Sequence, residues 1–437
     1  MLLLLFISLA FGCITTILFH LEANNREAMS MQIPRVRLLV DYHSRVWKIL
    51  QPYLWPLLDR LPLNWGTFGR YSRVAWHFAD KGDSHRRFGS IWALVTPQDV
   101  YVHVADPAAC ADILSRFRRP NGHDRLRFHK PGTPCIATAN WKDWSRYHRD
   151  GAAPMDETTI YFLWNEAVTQ THQLLDRWTT ASETPSEAKQ VQESDSSVSS
   201  NALSLTEIFR DNFATANTLS FATMLLAAHP SIQDWVAEEL RTLPPIEDGQ
   251  YADLFPTLKR CRAVMRTNPY SSKPSAYTPP PITSLPRRID LSVWREPLLV
   301  DNQIVDIPGN TAVMPNMLAV HTDPNIWTNP LEWTPARWIS TTAEGEQILY
   351  NPPRGTYFPW SDGPHLCPGA QFSQVEFVAV MASLLQDHRI KGVSLPGEED
   401  GDMQKRVLGV VNDLDATLLL KMRDADRVKM VCERVEE

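Results

Sequence analysis

Residues 358–369 read Phe358-Pro359-Trp360-Ser361-Asp362-Gly363-Pro364-His365-Leu366-Cys367-Pro368-Gly369, and the run from Phe372 to Leu385 behind them repeats apolar residues at helical spacing. A lone loop cysteine is more often inert than a ligand. Here glycine and proline on both sides of Cys367 let the backbone approach a ligand closely and present the sulfur from a stiff loop. The helix that follows directs its amino-terminal dipole at the loop, which favours a thiolate. The pattern therefore predicts a metal-bound thiolate. Zinc is the competing metal, but His365 and Cys367 supply two ligands where a structural site needs four.

Around this loop the chain is ordinary for a folded protein. Its 437 residues are 43% hydrophobic and 21% charged, enough for a large core. Lys+Arg 43 against Asp+Glu 50 gives −7 without a long basic run, which removes electrostatic support for a nucleic-acid partner. Six cysteines lie scattered without C-x-x-C pairs, so reduced thiols are expected. At the amino terminus Leu2 to Phe19 carry no charge and span about 27 Å as a helix, close to one bilayer crossing. Arg26, Arg35, Arg37, Arg45 and Lys48 follow the run and nothing basic precedes it, which predicts an uncleaved single-pass anchor over residues 1–22 and a cytosolic body over 23–437.

Along the body, the alternation of Val100, Val102 and Val104 behind Thr96-Pro97-Gln98-Asp99 predicts a hairpin over about 87–104. Asp106-Pro107 caps a helix through Ala111, Ile113 and Leu114. Trp141 to Arg149 forms a basic aromatic helix, with Lys142, Arg146, His148 and Arg149 available to anions. A core helix carries Ile160, Trp164, Leu175 and Trp178, and the Ser/Glu-rich stretch 180–201 is a linker. Further helices run from Ile208 to Ala228, from Pro230, and from Leu254 to Met265. A second hairpin is expected from Leu298 to Ile307 with return through Pro308-Gly309-Asn310 to Thr311–Met314.

The 358–369 stretch closely resembles the cysteine loop of the cytochrome P-450 family, the haem-thiolate monooxygenases. Trp360 takes the aromatic position, Gly363 the first glycine, His365 the basic position, Cys367 the axial ligand and Gly369 the last glycine. Other stretches resemble the family in the same order. Trp333-Thr334-Pro335-Ala336-Arg337-Trp338, preceded by His321-Thr322-Asp323-Pro324, resembles the P-E-R-F/W segment, and Trp144 with His148 resembles the helix that binds a haem propionate. The resemblance implies a mainly α fold with small β-sheets, haem (iron protoporphyrin IX) ligated by Cys367, and propionate contacts from His365, Trp144 and His148. It further implies a small hydrophobic substrate, an NADPH-dependent cytochrome P-450 reductase as electron donor, docking on the side that includes Lys142, Arg146 and Arg149, and an endoplasmic-reticulum location. The similarity is strongest to fungal members, many of which act in secondary metabolism.

Three places depart from the family. Thr215-Ala216-Asn217-Thr218-Leu219-Ser220-Phe221 resembles the end of the oxygen-handling helix, but Ala214 stands where a threonine is expected, and Thr215 and Asp211 are the nearest substitutes. Ala263 stands at the glutamate position of E-x-x-R, so Arg266 and Arg337 are expected to lose a counter-charge, which is costly for buried cations. Only 180–201 separates the Trp164 helix from the Ser220 helix, so distal helices that roof a substrate pocket are partly missing. These departures keep open a degenerate, non-catalytic member, or a haem-thiolate protein that uses peroxide or rearranges its substrate.

Overall fold

The computed structural model describes residues 2–73, 76–115, 146, 149, 156–180, 213–267, 287–288, 295–309, 311–363, 366–415 and 421–435. It divides into two compact units: Met1–Tyr147 with Pro280–Thr328 and Pro353–Leu366, and His148–Pro279 with Asn329–Pro352 and Cys367–Glu437.

The first unit is built on a sheet ordered β1 (Arg35–Arg37), β2 (Ile91–Val95), β3 (Val100–Val104), β7 (Ala312–Pro315), β4 (Arg287–Arg288). Strands β2 and β3 pair antiparallel, Ile91 opposite Val104, around the predicted Thr96–Asp99 turn, whose Thr96 Oγ1 donates to Asp99 O and Asp41 Oδ2 at 2.9 Å each. Both strands are buried along their whole length, and their alternation divides two cores. Ile91, Ala93, Val95, Val100, Val102 and Val104 face an aliphatic cluster, whereas Trp92, Leu94 and Tyr101 join Tyr42, Trp47, Tyr71 and Trp76 in an aromatic one. Packing β-branched side chains on one face and rings on the other lets a small sheet be covered on both sides.

Helix α1 (Leu2–Met29) outruns the predicted anchor. Its apolar run is interrupted by Gly12, Thr15 and Thr16, whose hydroxyls bond back to the carbonyls of Phe11 and Gly12. Its second half is polar and docks on the sheet: Leu21 and Ala28 are buried, and Asn24 Nδ2 donates to Thr96 O at 2.8 Å. Among the described residues no helix is long and apolar enough to cross a membrane, so the single-pass helix expected there is not found. Every position from Phe11 to His20 is nonetheless exposed, Phe11 at 68% and Phe19 at 72%. Helices α2 (Arg45–Leu58), α3 (Gly66–Tyr71), α4 (Trp76–Asp80) and α5 (Asp83–Phe88) complete the aromatic side.

Helix α6 (Pro107–Ser115) starts after Asp106, the cap that the sequence predicts, and Asp106 Oδ1 accepts the Ala109 N–H at 2.6 Å. The second hairpin differs from expectation. Strands β5 (Arg295–Val300) and β6 (Gln303–Pro308) pair with each other around Asp301-Asn302, both at positive φ (48° and 61°), a conformation these two side chains tolerate. The following strand, β7, leaves the hairpin and pairs parallel with β3, Tyr101 opposite Ala312. Short helix α12 (Met317–His321) follows, capped by Asn316, whose Oδ1 accepts Ala319 N–H at 3.1 Å.

The second unit is helical, as the apolar spacing predicts. Helices α7 (Glu157–Thr180), α8 (Phe213–Ala228), α9 (Pro230–Leu240), α10 (Tyr251–Leu254), α11 (Lys259–Thr267), α13 (Ala370–Leu385) and α14 (Asp400–Asn412) carry it. α13 is apolar nearly all round and is the central element, packed on α7, α11, α9 and β10 (His388–Gly392). Trp164 of α7 is fully buried, as expected for a scaffold helix. Gln233 of α9 binds the region together. Its Nε2 donates to Leu226 O (2.9 Å) and Ile390 O (2.7 Å), and its Oε1 accepts Ile390 N–H (2.9 Å). Strands β8 (Ile339–Thr341) and β9 (Gln347–Leu349) pair antiparallel, β11 (Leu414–Asp415) pairs with β12 (Lys421–Met422), and β10 pairs with β13 (Met430–Arg434). The linker 180–201, apart from its first residue in α7, lies outside the described residues.

Candidate functional site

The approach to the cysteine loop is pinned by two glycines against one helix. At Gly355, φ is +89°, and a Cβ there would lie 2.3 Å from Pro107 O, at the start of α6. At Gly363, φ is +70°, and a Cβ would lie 2.4 Å from Leu114 O, at the end of the same helix. No L side chain fits either place, so α6 is a shelf on which the chain from 355 to 363 is laid. Phe358 is 2% exposed and joins the α6 cluster of Cys110, Ile113 and Leu114. Its backbone N–H donates to His321 Nε2 at 2.9 Å.

Between these points the loop turns sharply. Ser361 holds φ +67°, uncommon for a side chain with a Cβ, and Gly363 N–H donates to Asp362 Oδ1 at 2.7 Å. Asp362 also lies 3.7 Å from exposed Arg354, a pair too solvated to matter much. Leu366 N–H donates to Gly363 O at 3.0 Å. Trp360 is half-buried.

Cys367 is an exposed thiol outside any disulfide. Its carbonyl accepts the Ala370 N–H at 3.1 Å, and Gly369, the residue before α13, leaves Sγ 3.9 Å from where a Cβ would stand. The sulfur thus sits at the amino-terminal end of a 16-residue helix. Cys110 and Cys261 differ from it: both are fully buried, and burial pushes both thiols up, away from thiolate chemistry. Of the cysteines described, Cys367 combines exposure, a stiff approach and a helix terminus. It fits a single soft axial ligand, and among the described residues no cluster of His, Cys, Asp or Glu offers a conventional metal cage.

The remaining sequence-predicted residues divide. His365, Trp144 and His148 lie outside the described residues, as does Lys142; Arg146 and Arg149 are helical and exposed. Arg337, half-buried, is not stranded by Ala263. Its Nε donates to Thr334 O (3.2 Å) and Nη2 to Asn329 O (3.0 Å) and Glu332 O (2.8 Å), while burial pulls its pKa down. Arg266 Nη1 donates to Tyr350 O at 2.8 Å and its guanidinium lies 5.7 Å from the Trp338 ring centroid. The lost counter-charge is therefore answered in part by carbonyl oxygens and an aromatic face. Ala263 itself is fully buried on α11. Thr215 is buried on α8, whereas Asp211 is outside the described residues. His321, Gly355 and the α6 shelf went unassigned from sequence because their partners are far along the chain; a left-handed glycine and a buried histidine give no local signal.

An exposed cysteine at the start of a 16-residue helix is compatible with a single thiolate ligand. The family model for cytochrome P450 matches residues 279–415, which include the cysteine loop. A cytochrome P450 monooxygenase of Arthrobotrys oligospora is 22% identical over 573 aligned positions covering 95% of each chain. The phomenoic acid biosynthesis cluster cytochrome P450 monooxygenase of Leptosphaeria maculans is 31% identical over 48% of this chain and 40% of its own length. A cytochrome P450 monooxygenase of Gibberella zeae is 28% identical over 41% of this chain and 32% of its own. Over residues 279–415 this chain is similar to the cytochrome P450 family, whose members are oxidoreductases that hold haem iron through a cysteine thiolate. The first alignment is longer than the 437 residues of this chain, so that relative carries segments with no counterpart here.

Proposed function

We propose that the protein is a haem-thiolate monooxygenase that oxidises a small hydrophobic metabolite in a fungal secondary-metabolite pathway. The observation that carries this reading is the exposed Cys367 at the start of α13, reached by a stretch whose Gly355 and Gly363 admit no side chain. The haem would supply dioxygen activation once its iron is held by the Cys367 sulfur. The chain's own contribution is positional: α6 fixes the loop, and the α13 terminus favours the anionic sulfur. His365, Trp144 and His148 are the candidate propionate holders, with Trp360, Gly363, Gly369 and Arg337 shaping and supporting the loop. The pathway assignment is supported by the name of the Leptosphaeria relative.

In this reading residues 23–437 serve as the haem domain and electrons come from an NADPH-dependent cytochrome P-450 reductase that docks near exposed Arg146 and Arg149. The exposed apolar stretch Phe11–Phe19 of α1 holds the protein at the endoplasmic-reticulum membrane with its body in the cytosol. A second reading, a member that uses peroxide, rearranges its substrate or has no catalysis, is favoured by Ala263 and by the short distal connection. Replacing the native chain by Cys367→Ala in the producing organism is expected to remove an oxygenated hydrophobic metabolite and accumulate its precursor lacking that oxygen. An unchanged metabolite profile by mass spectrometry would contradict the proposal.

A further inference from the structure

His321 closes α12 and is 3% exposed. Its ring lies nearly parallel to Phe358 (21°, centroids 6.2 Å apart) and tilted over Tyr357 (5.4 Å), and its Nε2 accepts the buried Phe358 N–H at 2.9 Å. Accepting at Nε2 requires the neutral tautomer with its proton on Nδ1. That Nδ1 is buried and has no hydrogen-bond partner among the described residues. A buried N–H left in this state costs free energy, so a bland core role would be filled better by an apolar side chain. What the imidazole supplies that an apolar side chain cannot is the acceptor for Phe358.

Phe358 opens the loop that ends at Cys367. Three restraints hold this approach: Gly355 on Pro107, Phe358 on His321 and Gly363 on Leu114. Of the three, the His321 contact is the one made by a side-chain hydrogen bond, and it is the one that a proton can undo. Tyr357 and Phe358 face the ring, and burial alone lowers its pKa to about 4, with no contribution from a charged side chain. Once protonated, Nε2 becomes a donor pointed at another donor.

We propose that His321 is a positioning residue for the thiolate loop, holding the Phe358 backbone as a neutral acceptor so that Cys367 is presented in its ligating position. This rests on the haem-thiolate reading for its consequence, though not for the contact itself. The test uses the full chain in three forms: wild type, His321→Gln, whose side-chain carbonyl can accept in place of Nε2 without titrating, and His321→Phe, which keeps the ring and removes the acceptor.

The first readout needs no haem. Trypsin cleavage after exposed Arg354, followed in the haem-free chain at neutral pH, is expected to run about tenfold faster in His321→Phe, the factor that about 1.4 kcal/mol of lost restraint gives, and at the wild-type rate in His321→Gln. The second is the carbon monoxide difference spectrum of haem-loaded protein. His321→Phe is expected to shift the band from thiolate-ligated toward neutral-ligated, with rescue by His321→Gln. As pH is lowered over the range where far-ultraviolet dichroism stays native, the Gln form is expected to keep the thiolate band to lower pH than wild type. Equal cleavage rates in all three forms, or a His321→Phe spectrum identical to that of wild type, would overturn the proposal. Should wild type itself take up no haem while cleavage still follows the pattern above, the haem-thiolate reading fails and the His321 contact stands. If His321→Phe does not fold, the pH comparison between wild type and His321→Gln decides: identical profiles would overturn the proposal.

Discussion

Acidification from about pH 6.5 to about pH 4 is expected to remove most of the protein's stability, with buried histidines as the main cause. His85 and His321 are buried and neutral, burial lowering each from the usual 6.5 to about 4, and His103, stacked at 4.5 Å on Trp92 in the aromatic core, is lowered further. Above 6.5 the histidines are neutral in both states and stability is at its full value. Between 6.5 and about 4 the unfolded chain binds protons that the folded chain refuses, so stability falls with falling pH by about 1.36 kcal/mol per unit for each group. His85 and His321 alone then account for about 6 kcal/mol, comparable with the total stability of a typical domain. Urea midpoints measured from pH 7.5 to 4.5 by tryptophan fluorescence should fall steadily, and His85→Gln, which can still donate to Gly89 O in place of Nδ1, should flatten the slope by about one proton. A midpoint constant across that range would show that these rings are not held neutral.

Gly363→Ala is the second large expected effect. The substitution asks an L side chain to hold φ +70° and places a Cβ 2.4 Å from the backbone oxygen of Leu114 and 3.0 Å from its carbonyl carbon. The left-handed conformation alone costs about 1 kcal/mol, and the clash cannot be relieved by a rotamer because the obstacle is helix backbone. Either α6 or the loop must move. The expected result is a protein destabilised by about 3 kcal/mol or more, with haem ligation by thiolate lost even where the fold survives. Gly369→Ala is the comparison. There φ is −83° and the nearest atom, Cys367 Sγ, is 3.9 Å away, an ordinary contact, so it should cost far less. Equal effects of the two substitutions on urea stability and on the haem spectrum would contradict the shelf.

These two expectations show where sequence carries information and where it does not. The Thr96–Asp99 turn, the Asp106 cap, the α13 helix and the Gly363/Cys367/Gly369 spacing are all legible because each depends on residues a few positions apart. The parallel pairing of β7 with β3 joins residues more than two hundred positions apart, and nothing in Thr311–Met314 distinguishes it from the return strand of a hairpin. The Asp301-Asn302 turn was readable in principle, since both residues tolerate positive φ, but the nearby Pro308-Gly309-Asn310 is the stronger turn signal. Arg337 and Arg266 were expected to suffer from the missing glutamate. Backbone carbonyls, which no residue pattern encodes, take up part of their donors. In the candidate site the proposed ligand, Cys367, stands out in the sequence, whereas the contacts of Gly355, Phe358 and Gly363 do not.

Cys367 is expected to bind haem iron as a thiolate despite alanine at position 263. The full chain, purified in detergent, loaded with haem, reduced with dithionite and exposed to carbon monoxide, should give a difference spectrum with a strongly red-shifted Soret band, absent from Cys367→Ala. A band typical of a neutral ligand in the wild-type chain, or failure to take up haem, would contradict ligation by the Cys367 thiolate.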